Sequence, residues 1–420
     1  MNSNRGINLS DIKMNNRSSI LKILREKGSL PRKDIAKLSG LTPAAVTILT
    51  NEMISQNILI EKGFASENNK VGRKKVLIDI NKEHKFIVGI NIERETTSVG
   101  ISDLNLNIVQ EIEIITRNDI SPEKFLSKLA NEVMGMLWNL NIKKDDILGV
   151  GIGVIGDVNS FEGISNKAYG IWEKKVFIKD ILQEKLEIPV VIENNVRALA
   201  LAEIGSKEHS SIKNFLFIKY GPGLGSAIVI NKKIYYGSHN NAGEIGHMVI
   251  DINGPKCKCG QRGCLEAYTS SDYLKKSIKN LFDRNRTPIL WEKARGEINN
   301  IKAKYIYEEY NSGNPLIEEI IDETLFRMSF GLGNVIQLFD PEKIILYGNI
   351  FKSEKIRETI CKKISKIIKT SVNDKYVDLS VYDPENKIIG SISVALQKLF
   401  YDTGGLTQIL IKEEVVKSTI

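Results

Sequence analysis

At 420 residues the chain is longer than one hydrophobic core usually supports, and its length predicts two or three domains. Its net charge of +8 lies mainly in residues 1–80, which contain fourteen Lys and Arg but only seven Asp and Glu. The charge is therefore distributed unevenly, and the excess of positive charge predicts a nucleic-acid partner for this segment. Residues 1–5 do not begin a signal peptide, no apolar run of about 18 residues could span a membrane, and there are only four cysteines; we expect a cytoplasmic protein without membrane association or a disulfide framework.

Residues 1–80 have the pattern of a winged helix-turn-helix domain. Three short amphipathic helices are predicted from apolar faces at Ile20, Ile23 and Leu24, at Ile35, Ala36 and Leu38, and at Val46, Leu49, Met53 and Ile54. Between the second and third helices, Gly40 suits a left-handed turn and Thr42 can cap the helix that follows. Apolar strands at 58–60 and 76–78 then form a wing.

The third helix is the predicted recognition helix, and its first residues should reach base edges in the major groove. The candidates for DNA contact there are Pro43, Ala44, Ala45 and Thr47, with Thr50 as a further one. Small side chains with methyl groups suit thymine methyls, while Arg73 and Lys74 at the base of the wing can meet phosphates or a minor groove. We expect double-stranded operator DNA with two-fold symmetry and therefore a homodimer; a winged helix that binds protein is the alternative.

From residue 85 onward, apolar strands alternate with longer helical patterns. Strands are predicted at 86–92, 98–101, 108–115, 147–154 and 190–192, with a helix near 122–140, and a second set of strands begins at 215–218 and 227–230. A last helix is predicted at about 388–401. This pattern predicts two similar α/β lobes.

Three of the four cysteines lie together in a glycine-rich loop that follows His247. Cys257, Cys259, Cys264 and His247 supply three thiolates and an imidazole, a ligand set that suits tetrahedral zinc. Four protein ligands leave no open position for a catalytic water, so the predicted zinc is structural. A chance clustering of cysteines is the alternative.

The sequence at residues 241–248, Asn-Ala-Gly-Glu-Ile-Gly-His-Met, and the segment 257–266 resemble the most specific motifs of the ROK family of repressors and sugar kinases. The similarity extends over about residues 80–400. It implies that the α/β part has two ribonuclease-H-like lobes of the actin and hexokinase fold. The predicted domains are the winged helix-turn-helix at 1–80, a sugar-kinase-like sensor domain at 81–400 and a tail at 401–420. Within the sensor domain, lobe one takes about 81–200 with helix 388–401, and lobe two takes about 201–387.

The resemblance also implies a set of ligand-binding residues. Matched one at a time, the family's sugar-binding positions fall on Asn194, Asn195, Glu244, His247 and Glu266. Amides and carboxylates supply the donors and acceptors that a polyol needs. His247 can serve zinc and sugar through its two ring nitrogens, so zinc would stiffen the loop that carries the carboxylates.

Three positions depart from the family's sugar kinases. The first phosphate loop, Asp-x-Gly-Gly-Thr in the kinases, reads Asn-Ile-Glu-Arg-Glu at 91–95, and its carboxylates should repel ATP. The second loop, 221–225, keeps its glycines but has Pro222 where a hydroxyl is usual. The kinases' general base is replaced by Asn195, whose amide cannot take a proton at neutral pH. We therefore expect no catalytic residues and no ATP cofactor.

Together these features predict a sugar-responsive, DNA-binding transcriptional repressor that is not an enzyme. Segments 251–257 and 338–341 are similar to the xylose repressors of the family, which makes xylose or a related aldose the expected effector. Two alternatives stay open. One is a zinc-containing ROK sugar kinase with an added DNA-binding domain, and the other is a repressor controlled by a protein partner.

Overall fold

The computed structural model describes residues 8–64, 75–369 and 376–406, and these residues form two compact units. Within those ranges the first unit extends to Ser210 and resumes at Lys387, and the second unit covers the residues from Ser211 to Asn386. Among the described residues, no helix combines the length and the apolar character that crossing a lipid bilayer requires.

The three helices predicted near the start of the chain are confirmed. They are α1 (Leu9–Lys27), α2 (Arg32–Ser39) and α3 (Pro43–Ser55). Asn8 and Asp11 form a reciprocal capping box at the start of α1, Gly40 ends α2 with a φ of 71°, and the Thr42 hydroxyl caps α3. The face predicted for α2 is wrong at Leu38, which is exposed.

The wing is present, and it shares a hydrophobic core with the end of the chain. Its strands are β1 (Leu30–Pro31), β2 (Leu59–Phe64) and β3 (Val76–Ile80), in the order β1-β3-β2. The cluster that buries these helices and strands includes Ile20, Leu24, Ile35, Val46, Met53, Ile388, Ile392, Leu396 and Phe400. The winged helix is therefore packed against the C-terminal segment rather than attached to it by a linker alone.

The first unit also contains one of the two predicted α/β lobes. Its elements are β4 (Phe86–Ile92), β5 (Thr96–Asp103), β6 (Ile108–Ile115), α4 (Pro122–Asn139), β7 (Ile147–Val154), β8 (Asp157–Asn159), β9 (Ile164–Lys167), α5 (Ile178–Leu186), β10 (Val190–Asn194) and α6 (Asn195–Gly205). The main sheet has the order β10-β7-β4-β5-β6, in which β7 runs parallel to β4 and β10 while β5 and β6 are antiparallel neighbours. This is the ribonuclease-H-like order that the family resemblance implied.

The second unit repeats this strand order. Its elements are β11 (Phe215–Tyr220), β12 (Leu224–Ile230), β13 (Lys233–Ile234), α7 (Glu266–Thr269), α8 (Ser271–Ile278), α9 (Pro288–Lys293), α10 (Ala303–Asn311), α11 (Pro315–Phe339), β14 (Lys343–Tyr347), α12 (Glu354–Ile368) and β15 (Val377–Leu379). The sheet order is β13-β12-β11-β14-β15, with β14 parallel to β11 and β15. Leu290, Ile306 and Tyr310 belong to the core of this unit, so the weakly patterned segment 280–315 is part of its packing.

The chain returns to the first unit at its end, but not as the single α-helix predicted for 388–401. The structure has α13 (Ile389–Ala395) followed by a π-helical turn at Leu396–Tyr401. The hydroxyl of Ser391 in α13 donates a hydrogen bond to the carbonyl of Ile90 at 2.8 Å. This contact fixes the helix against the central strand β4.

Candidate functional site

Three parallel strands of the first unit end side by side, and polar residues stand at their carboxyl ends. Asn91 lies near the end of β4 opposite Gly153 of β7, and Glu93 follows directly. Asn194 and Asn195 stand at the end of β10, on the other side of β7. Ligands of open α/β sheets bind outside the carboxyl ends of the strands. This edge is therefore the candidate ligand site of the first unit.

Asn194 has a positioning role in this site. Its side-chain oxygen accepts hydrogen bonds from the backbone N–H groups of Val196 at 2.9 Å and Arg197 at 3.2 Å, which caps α6. Its amide nitrogen donates to the carbonyl of Gly156 at 2.9 Å. Gly156 has a φ of 91°, and a Cβ there would lie 2.3 Å from the carbonyl oxygen of Lys167, so the turn requires glycine.

Asn195, the second predicted residue at this edge, contacts Glu93. Its buried side-chain amide donates to the Glu93 carboxylate at 3.2 Å. The Glu93 backbone is fixed because its N–H donates to Thr96 at 3.1 Å and its carbonyl accepts from the Thr116 hydroxyl at 2.7 Å. Sequence reasoning treated Glu93 only as a charge against ATP and missed this contact. The sequence did contain a signal for this contact. Glu93 directly follows β4 and Asn195 directly follows β10, and both of these strands are neighbours of β7.

A buried ion-pair network lies next to these residues. Glu193 has no solvent exposure, and it pairs with Arg197 Nε at 2.8 Å and with Lys398 Nζ at 3.6 Å. Burial lowers the pKa of the Lys398 ammonium group, and the nearby Glu193 carboxylate opposes that shift. The Lys398 ammonium also donates to the carbonyl of Ile192 at 3.2 Å. The strand that leads to Asn194 is thereby joined to the C-terminal segment, a contact that sequence reasoning missed.

The same C-terminal segment contacts α1 of the winged helix. Arg25 donates to the Gln397 side chain at 2.9 Å, and its guanidinium lies 4.3 Å from the centre of the Tyr401 ring. Lys22 pairs with Asp402 at 2.8 Å. The segment that follows α13 therefore contacts both strand β10 and the winged helix.

Arg17 extends this connection to α3, the predicted recognition helix. Its side chain has no solvent exposure, and its Nε donates to the carbonyl of Gly404 at 2.9 Å. Its two terminal nitrogens donate to Glu52 in α3 and to Gln56 just beyond it, both at 2.7 Å. One buried guanidinium thus links the end of α3 with the chain that follows the C-terminal helix.

The predicted DNA-contacting residues lie at the start of α3. Pro43, Ala44 and Thr47 are exposed there, and Ala45 is half-buried. The Thr47 hydroxyl donates to the carbonyl of Pro43 at 2.8 Å. Ile48, which is not among the predicted residues, is 67% exposed and lies one helical turn after Ala44, so it shares their exposed face.

The prediction that Thr50 contacts DNA is wrong, and the predicted contacts of Arg73 and Lys74 stay predictions. Thr50 is fully buried, donates to the Val46 carbonyl at 2.8 Å and accepts from Arg32 Nε at 2.9 Å, so it is not available to a base edge. Thr50 is inside the domain because it lies on the face of α3 that packs against α2, where Arg32 contacts it. Arg73 and Lys74 lie outside the described residues.

In the second unit, the four predicted zinc ligands converge. The ligand atoms of His247, Cys257, Cys259 and Cys264 all lie within 4.8 Å of one another. The sulfurs of Cys259 and Cys264 are 3.7 Å apart, and His247 Nδ1 is 3.8 Å from the sulfur of Cys257. Zinc–sulfur bonds of about 2.3 Å in a tetrahedron require nearly this sulfur–sulfur spacing. Burial raises the pKa of the Cys257 and Cys264 thiols, and a bound metal would favour their thiolate forms. The four residues therefore fit a metal ion.

Glu266 lies between this cluster and the second predicted phosphate loop. One carboxylate oxygen accepts from the backbone N–H of Leu224 at 3.1 Å, and the other lies 3.5 Å from the thiol of Cys257, which donates to it. A Cβ at Gly223 would lie 2.6 Å from this carboxylate, so glycine permits the close approach. A loop amide that could face a phosphate is thus bound to a carboxylate.

The remaining two predicted ligand residues flank a short 3-10 turn, Ile245–His247. Glu244 precedes the turn and is exposed, and its carbonyl accepts from the backbone N–H of His247 at 3.1 Å. Because Nδ1 of His247 faces Cys257, its other ring nitrogen lies on the opposite edge of the imidazole. The structure therefore brings His247 and Glu266 together around Cys257, and Glu244 lies three residues before His247 in sequence.

Comparisons with known proteins agree with this organisation. The sequence profile of the ROK family matches residues 87–398. The xylose repressor of Caldicellulosiruptor bescii is 29% identical over 357 residues, which cover 83% of this chain and 88% of that protein.

Two solved structures share the fold. A ROK family transcriptional regulator, a homologue of the E. coli MLC protein, has a TM-score of 0.76 at 24% identity and covers 97% of this chain and 99% of its own. A ROK family glucokinase from Streptomyces griseus, in complex with glucose and AMPPNP, has a TM-score of 0.65 at 24% identity. The match covers 74% of this chain and 99% of the glucokinase chain. The regulator is the one of these two that matches nearly the whole chain, including the winged helix.

Proposed function

The chain belongs to the ROK family, and from that membership we propose that it is a transcriptional repressor whose sugar-kinase-like part binds a sugar and thereby releases operator DNA. The observation that carries the proposal is the combination of an exposed recognition helix with a polar site that has Asn195 at the kinases' base position. Similarity to the xylose repressor of C. bescii supports xylose or a related aldose as the effector.

We assign sugar binding to Asn194, Asn195, Glu244, His247 and Glu266. The amides donate and accept hydrogen bonds, and the carboxylates accept them, which matches the hydroxyl groups of an aldose. Asn194 uses its oxygen to cap α6 and one amide hydrogen to hold Gly156, so its second amide hydrogen is the one it can offer to a ligand. These five residues could bind a sugar without a bound nucleotide.

We propose that the protein is not a kinase and has no catalytic residues. Asn195 cannot remove a proton from a sugar hydroxyl at neutral pH. Glu93 puts a carboxylate into the first phosphate loop, at the strand ends beside Asn195. This carboxylate opposes the binding of a triphosphate, so ATP is not expected as a cofactor.

The DNA contacts that we propose come from α3 and from the wing. Pro43, Ala44, Ala45 and Thr47 would approach the bases, and Arg73 and Lys74 would bind phosphates. A homodimer would place one winged helix on each half-site of a symmetric operator. We retain residues 1–80 as the DNA-binding domain, 81–400 as the sensor domain and 401–420 as the tail.

The cluster of His247, Cys257, Cys259 and Cys264 would hold a structural zinc ion. Four protein ligands fill a tetrahedral site, so the metal would stabilise the loop and would not activate water. Because Glu266 follows the proposed ligand Cys264 by only two residues, zinc would also restrain the backbone that carries this carboxylate. No disulfide joins the described cysteines, which suits a reducing cytoplasm.

Coupling between sugar and DNA requires a physical connection within the chain. We propose that it follows the contacts from Glu193 to Lys398, along the C-terminal segment to Gly404, and through Arg17 to α3. The sugar can lower operator affinity only if it binds better to the arrangement that does not bind DNA.

The test is a titration of the purified protein on its own upstream DNA, at fixed salt, with a panel of pentoses and hexoses and without nucleotide. We expect one aldose to release the DNA at a concentration near its own dissociation constant. Consumption of the sugar with ATP would establish the kinase alternative. Operator binding that no sugar changes would favour control by a protein partner.

A further inference from the structure

We propose that Glu93 is a sugar-binding residue and that its carboxylate restricts the effector to sugars without a phosphate group. The inference rests on the proposed function, since it assigns the class of ligand at the same site. It is carried by the contact of the Glu93 carboxylate with the Asn195 amide, 3.2 Å apart, at the carboxyl edge of the first unit's sheet.

The position of Glu93 is set by its backbone. Its N–H and carbonyl groups are bound to Thr96 and to the Thr116 hydroxyl, which is itself 2.8 Å from the hydroxyl of buried Thr97. This network holds the turn after β4 in one conformation, so the half-buried carboxylate is presented at the strand ends. A residue held in this way is suited to ligand recognition, because its placement costs little conformational entropy on binding.

The Glu93 carboxylate favours a ligand that donates hydrogen bonds. An ionised carboxylate only accepts hydrogen bonds and has about four lone-pair directions, so the Glu93 carboxylate can accept from the Asn195 amide and from other donors at the same time. A sugar hydroxyl can donate to another of these directions in a charge-assisted hydrogen bond. A phosphate ester at the same place is an acceptor that carries negative charge at neutral pH, so it meets repulsion instead of a hydrogen bond.

Glu95 provides a matched control in the same turn. Its side chain is exposed, whereas that of Glu93 is half-buried against Asn195. Changing either residue to glutamine removes one negative charge and keeps the size of the side chain. If only the total charge matters, both substitutions should change the ligand affinities. If the carboxylate of Glu93 contacts the ligand, only the substitution at Glu93 should change them.

The experiment is calorimetric titration of the full-length protein, without DNA, using xylose and xylose 5-phosphate and, as a second pair, glucose and glucose 6-phosphate. For the pair that binds, we expect the phosphate ester to bind at least 100-fold more weakly than the free sugar. Glu93→Gln should weaken the free sugar about tenfold, the usual effect of losing a hydrogen bond to a charged group, and should reduce the discrimination to tenfold or less. Glu95→Gln should change neither value.

Glu93→Asp keeps the charge, and we expect it to retain discrimination against the phosphate ester even if both affinities fall. Thermal unfolding of each variant shows whether it is folded. If Glu93→Gln binds both ligands as the wild type does, the assignment of Glu93 is wrong while the proposed function stands. If the wild-type protein binds neither these sugars nor any other pentose or hexose of the panel used for the operator titration, the proposed function fails, and this inference fails with it.

Discussion

Replacement of Arg17 by alanine should lower the free energy of unfolding by about 3 kcal/mol, one of the largest single-residue effects we expect in this chain. The guanidinium has no solvent exposure and donates to Glu52, Gln56 and the carbonyl of Gly404. Truncation removes the donor from Gln56 and from the Gly404 carbonyl, leaves Glu52 with its contact to Lys13, and opens a cavity between α1, α3 and the C-terminal segment. Urea denaturation of the full-length protein, followed by circular dichroism, measures the change.

Lys13 gives this prediction its control, because it pairs with the same carboxylate from the surface. Its Nζ lies 2.9 Å from Glu52, and its side chain is 32% exposed. Lys13→Ala should cost less than about 1 kcal/mol, as is usual for exposed ion pairs. Equal losses for Arg17→Ala and Lys13→Ala would show that the buried linkage has no special role in stability.

The Arg17 variant should also respond less to sugar. If the C-terminal segment transmits sugar binding to α3 through Arg17, the variant should bind operator DNA while sugar changes its affinity by a smaller factor. The sugar affinity itself should stay unchanged, since Arg17 lies in the winged helix. An unchanged sugar response in a folded Arg17→Ala protein would contradict the proposed route.

The second large effect concerns the metal cluster. Cys264→Ser should abolish stoichiometric zinc binding and lower the sugar affinity about tenfold or more, because Glu266 follows Cys264 by two residues and the loop that carries it loses its anchor. Elemental analysis of the purified variant gives the zinc content, and calorimetry gives the sugar affinity. Removal of zinc from the wild type with a chelator should reproduce both results.

Cys361 is the matched control for this substitution. It is the fourth cysteine, it is buried in α12, and it lies outside the cluster of ligands. Cys361→Ser should keep one zinc ion per chain and wild-type sugar affinity. A Cys264→Ser protein that loses zinc but binds sugar normally would show that the metal does not support the ligand site.

Local patterns were sufficient to predict most of the fold. Gly40 and Thr42 mark the helix boundaries of the winged helix, and β4 and β7 begin and end where their apolar runs do. These features depend on residues adjacent in sequence, through caps, turns and side-chain periodicity. Leu38 and Thr50 were misplaced because helical periodicity shows that a face is apolar or polar without showing what packs against it.

Contacts between distant segments were beyond sequence reasoning. Arg17 and Gly404 are separated by most of the chain, and Glu193 and Lys398 by about half of it, and nothing in their local sequence indicates that they meet. Glu93 was noticed for its charge, but its contact with Asn195 follows from the parallel order of β4, β7 and β10. The four zinc ligands were predictable because they lie close together in one loop and their chemistry is specific.

The most direct test of sugar-controlled DNA binding is to measure the sugar affinity with and without saturating operator DNA, and the operator affinity with and without saturating sugar. Because linkage is reciprocal, both affinities should fall by the same factor, which we expect to be at least tenfold. A sugar affinity that is identical in the presence and absence of operator would contradict the proposed control, however tightly each ligand binds alone.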